Sequence, residues 1–134
     1  MNRICNFLSL LLCVLLLTAC GGGDVNEVGR SIGVCERFSK REVAAAMDEV
    51  EKFFRAEFDG CKLLRLEYDE EKTLKEAQEW SAQCGTEAIV LISDFSVDDS
   101  GADGSLSPGE TYRNWKWILK KTTVGWKLET WGYG

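Results

Sequence analysis

The sequence predicts an α+β fold in which two helices pack on a curved antiparallel sheet of about four strands within one domain. Three observations carry that prediction. Two segments with helix-opening signals and helical apolar spacing come early in the chain. From Glu87 onward the pattern changes to period-2 alternation, which marks strands. A turn at Thr122 to Gly125 then joins the last two alternating runs into a hairpin.

The chain opens with Arg3 and an apolar run from Phe7 to Leu17, followed by Leu17-Thr18-Ala19-Cys20. A basic start, an apolar middle and a small-residue cleavage site make residues 1–19 a secretory leader. The cysteine directly after Ala19 makes the site a lipobox, with cleavage before Cys20 and diacylglycerol on its sulfur. The 11-residue run is shorter than the roughly 18 to 20 residues that a spanning helix needs. The expected location is therefore the extracytoplasmic face of a membrane, held by N-terminal acyl chains. Cleavage removes 19 residues and leaves 115, enough for one core. Gly21 to Gly33 holds five glycines and few large apolar groups, so residues 20–34 are expected to be a flexible tether and 35–134 the domain.

Sixteen Lys and Arg against 22 Asp and Glu give a net charge of −6. Nucleic acid and anionic headgroups both call for a basic face, so neither is an expected partner. Of six cysteines, two leave with the leader and Cys20 takes the lipid, leaving Cys35, Cys61 and Cys84. Three thiols allow one bridge at most. Cys61 with Cys84 is the expected pair, provided that a strand-helix-strand crossover brings both to one end of adjacent parallel strands.

Within the domain, Ser39-Lys40-Arg41-Glu42 is a capping box, flanked by Phe38 and Val43 as a hydrophobic staple. Val43, Met47, Val50, Phe54 and Phe58 then mark one face of a helix that ends at Gly60. Cys61 to Tyr68 alternates as a half-buried strand, with Leu64, Leu66 and Tyr68 on one side and Leu63, Arg65 and Glu67 on the other. A second capping box at Thr73 to Glu76 opens a shorter helix, which Gly85 ends. Ala88 to Ile92 is apolar on both faces, as in a central strand. The closing hairpin carries Trp115, Trp117 and Leu119 on one arm and Trp126 and Leu128 on the other.

Helix, strand, helix and a Trp-rich sheet resemble, in element order, the cystatin-like cone of the nuclear-transport-factor-2-like superfamily. Three phrases are more specific: Ala88 to Phe95, Gly104 to Leu119, and Trp131-Gly132-Tyr133. They resemble an uncharacterised family of lipoproteins from Gram-positive anaerobes, over roughly residues 35 to 133. The resemblance implies fold and location and supplies no catalytic residues. Superfamily relatives include ketosteroid-isomerase-like enzymes and binding modules, and a shared fold does not transfer function.

The chain has no histidine, which excludes a Ser-His-Asp triad, a Cys-His pair and an imidazole zinc ligand. Asp94 is the one carboxylate on an otherwise apolar strand, so it is the acid-base candidate for a small lyase or isomerase. Tyr68, Tyr112 or Tyr133 would then donate to a developing oxyanion. Its phase with Ser96 and Asp98 argues instead for a solvent-facing position. Asp99 to Glu110 matches a calcium loop through Asp99, Asp103 and Glu110, but Gly101 stands where a ligand belongs and the flanks read as strands. A long acidic hairpin loop has the same composition, so no metal or cofactor is expected. Trp115, Trp117, Trp126 and Trp131, with Tyr112, are the expected binding residues for a small molecule or a protein, with core filling as the alternative use of the same rings.

Overall fold

Ser39 opens the first helix as its spacing to Glu42 predicts: its Oγ accepts from the Glu42 amide at 3.1 Å, and its own amide donates to Glu42 Oε1 at 3.2 Å. The computed structural model describes residues 22–101 and 104–133. The leader 1–19, Cys20 and Asp103 lie outside the described residues. Chain order is β1 (Gly29–Ile32), α1 (Lys40–Glu57), β2 (Cys61–Tyr68), α2 (Glu70–Cys84), β3 (Ala88–Val97), β4 (Thr111–Thr122) and β5 (Gly125–Gly132). The strands form one sheet in the order β1-β2-β3-β4-β5. β1 runs parallel to β2, and every other neighbouring pair is antiparallel.

The class is α+β as expected, but the sheet has five strands and is mixed. The additional strand comes from the segment expected to be a tether. Gly23 donates to Arg55 O at 2.9 Å, Asp24 donates to Cys61 O at 2.9 Å, and Val25 is buried. Gly22 and Gly23 serve close approach here, not flexibility. A Cβ on Gly23 would lie 2.4 Å from Phe54 O and 2.7 Å from the Phe54 ring. Gly23→Ala is expected to cost about 1 to 3 kcal/mol through overpacking. An unchanged denaturation midpoint would show that this segment is not docked.

Helices grouped before strands predict a sheet covered on one face, but the two helices lie on opposite faces. Val43, Met47, Val50, Phe54 and Phe58 of the α1 stripe pack with Leu66, Ile89, Leu91 and Leu119 in the main core, as their spacing predicts. Val90 and Ile118 point the other way and pack with Ala77 and Trp80 of α2. α2 starts earlier than the second capping box implied. Asp69 caps it by accepting from the Glu71 amide at 3.1 Å, and Thr73 sits in its first turns with its hydroxyl on Asp69 O. Glu70 and Glu71 then occupy the first turn, where the helix dipole favours acidic groups.

The alternation in β2 is broken by a bulge. Leu63 pairs with Phe95 and Arg65 with Asp94, so Leu64 is the extra residue. Cys61 and Leu63 thereby join Leu66 and Tyr68 on the α1 face, while Leu64 is exposed. Glu70 fastens the loop before α1 to this end of the sheet. One oxygen, Oε1, accepts from the Glu36 amide at 2.9 Å, the Arg37 amide at 2.6 Å and the Tyr68 hydroxyl at 3.0 Å. Burial opposes the charge on Glu70, and these hydrogen bonds outweigh it and hold its pKa below the usual carboxylate range.

Candidate functional site

The aromatic residues of the hairpin divide between two ends of α1. Trp126 belongs to the N-terminal end: it meets the Phe38 ring edge-on at 5.2 Å, and its Nε1 donates to Glu42 O at 2.9 Å. Trp117 is fully buried, donating from Nε1 to Ser93 Oγ at 2.7 Å. Its cross-strand partner is Trp131, not Trp126, with ring centroids 6.3 Å apart. A bulge in β5, where Ile118 pairs with Thr130 but Leu119 with Leu128, brings Trp131 to the α1 face. Tyr112 stacks on Phe95 at 5.2 Å, and its hydroxyl accepts from the Ser107 amide.

At the C-terminal end of α1 these rings leave a cleft of about 590 Å³. Phe53, Phe58, Trp115 and Trp131 supply aromatic walls, Leu106 adds an aliphatic one, and Glu57 and Asp59 contribute carboxylates. The volume falls in the range of small-molecule sites. Trp131 is 43% exposed and lies 4.6 Å from Phe53, ring centre to ring centre. Trp115 is half-buried, and its Nε1 has no hydrogen-bond partner among the described residues. Of the five residues expected to bind, Trp115 and Trp131 line this cleft. Trp117 backs it from the core, while Trp126 and Tyr112 serve packing elsewhere. Sequence reading missed Phe53, Phe58, Glu57 and Asp59 as site residues. One available signal was Phe53 itself, a large aromatic beside the buried stripe of α1 and not on it.

Asp94 lies outside this cleft, on the α2 side of β3, across the strand from Phe95. It is neither wet nor enclosed by apolar groups. Arg65 grips it through two bonds, Nε to Oδ2 at 3.0 Å and Nη2 to Oδ1 at 3.1 Å, and the Asn114 amide donates to Oδ1 at 3.0 Å. Asn114 is the positive-φ residue (58°) of a bulge in β4, so Asp94 joins bulges on both neighbouring strands. The Arg65 hydrogen bond, against the opposing effect of burial, lowers the Asp94 pKa below its ordinary value. A general base needs the opposite shift. Tyr68 faces the α1 side, and burial first, then Glu70, raises its pKa.

No disulfide joins Cys61 to Cys84, and none joins either of them to Cys35. The expected bridge assumed parallel strands, but β2 and β3 are antiparallel, and Cys61 pairs with Val97 at the far end of β3. Cys84 sits beside the near end, just before Ala88. Ten residues of strand, about 30 Å, lie between those ends. In the β3–β4 connection Asp99 and Glu110 are exposed, and among the described residues no group of three His, Cys, Asp or Glu side chains is arranged to hold a metal. No helix among the described residues is long and apolar enough to cross a membrane.

No protein family, no curated protein and no solved structure matches this chain.

Proposed function

We propose that this chain is a lipid-anchored, extracytoplasmic binding module, with Cys20 as the anchor and the cleft between the end of α1 and the Trp hairpin as its ligand site. The observation that carries the binding reading is the cleft itself: an aromatic concavity with a 43% exposed indole, Trp131, on its wall. Exposed rings of this kind supply rigid contact area at small entropic cost. The lipobox and the quoted phrases resembling envelope lipoproteins support the anchor. Gly22 is docked against α1, and two residues of chain span at most about 7 Å, so an acyl group on Cys20 would hold the domain close to the bilayer. The lyase or isomerase reading is not carried forward, because Asp94 is committed to Arg65 and Asn114.

Two measurements test the proposal. Metabolic labelling with a fatty-acid analogue should tag the wild type and spare Cys20→Ser, and equal labelling would remove the anchor. Small water-soluble aromatic fragments, mapped by NMR on the full chain, should cluster at Phe53, Trp115 and Trp131. Scattered or absent binding would remove the cleft as a ligand site.

A further inference from the structure

We infer that the cleft takes an organic cation: an ammonium group, primary or quaternary, on a small apolar body. The inference rests on the reading of the cleft as a ligand site and specifies its chemistry. Three independent sources of negative potential meet there. The rings of Phe53, Phe58, Trp115 and Trp131 line the cleft, and aromatic rings carry a quadrupole whose negative side attracts cations within about 6 Å. Glu57 and Asp59 line the same space, neither forms an ion pair with a described residue, and no lysine or arginine lines it. The third source is α1 itself, whose C-terminal end carries the negative pole of the helix dipole.

The two carboxylates sit at the end of the helix where its dipole adds to their negative potential. Glu57 is the last residue of α1 and Asp59 follows the cap at Phe58, where acidic groups are disfavoured by about 0.3 to 1 kcal/mol each. The same last turn also holds Arg55, which suits the dipole, but it is Glu57 and Asp59 and not Arg55 that line the cleft. An anionic ligand would meet all three sources as repulsion. A neutral one would leave the carboxylates unused.

The test is a calorimetric titration of the full-length protein in detergent micelles with choline and with 3,3-dimethyl-1-butanol, in which carbon replaces the charged nitrogen at nearly equal shape. Choline is expected to bind at least about tenfold more tightly, a difference of about 1.4 kcal/mol. Glu57→Gln combined with Asp59→Asn, both exposed positions, should bring choline to within about threefold of the alcohol, and added salt should weaken choline alone. Equal binding of the two ligands would overturn the cation and leave the binding site standing. Unchanged choline affinity in the double variant would also overturn the cation, and binding of neither ligand would overturn both.

Discussion

Phe54→Ala is expected to cost about 3 to 5 kcal/mol, the loss typical of a fully buried phenylalanine truncated to alanine. Phe54 is 0% exposed and lies where three parts of the fold meet. Its ring stacks on Phe58 at 4.8 Å and meets Phe95 and Trp117 at 5.7 and 6.4 Å. The Gly23 backbone also approaches it closely enough that any Cβ there would collide with the ring. Rigid backbone on one side and the sheet on the other limit collapse into the void, which places the cost toward the upper part of the range. Chemical denaturation measures it. A loss under about 1 kcal/mol would mean that α1 presents a different face.

Asp94→Ala is expected to cost about 1 to 3 kcal/mol, because it removes a buried carboxylate that accepts from the partly exposed Arg65 guanidinium and from the Asn114 backbone N–H. The lower part of that range applies to the extent that Arg65, with its side chain 33% exposed, finds water. Asp94→Asn keeps an acceptor for Asn114 and should recover part of the loss. The same pair gives a pH dependence with a definite sign. Asp94 has its pKa lowered in the fold, so its contribution is fully present above the unfolded value of about 3.9 and is lost as pH falls through the folded value. Wild type should therefore lose more stability than Asp94→Asn on acidification below about pH 4. Parallel acid profiles for the two proteins would contradict the pairing.

The parts of the fold that were legible in the sequence are those governed by local spacing. The capping box at Ser39 and the stripe from Val43 to Phe58 place α1 and its core partners directly. Ala88 to Ile92 reads as apolar on both faces, yet helices grouped before strands point to one covered face, and it is α2, through Ala77 and Trp80, that covers the second. What stayed hidden depends on contacts distant in sequence. Glycines at 22 and 23 have the composition of a linker, and only the backbone of α1 reveals that nothing larger fits. The bulges at Leu64 and Asn114 shift which side chains share a face, and their common partner, Asp94, is 29 and 20 residues away from Arg65 and Asn114. Half of the candidate site was visible as Trp115 and Trp131. The other half comes from α1, because its C-terminal turn happens to end beside that hairpin.

The indole N–H resonances of the full chain, recorded as choline is added, test the binding claim most directly, since each tryptophan occupies a different place. Trp115 and Trp131 line the cleft and should shift together and saturably. Trp126, fixed to Glu42 O at the opposite end of α1, and Trp80, on the α2 face, should stay in place. Shifts at Trp126 or Trp80 equal to those at Trp131, or no shift at Trp115 and Trp131 at saturating choline, would contradict the account.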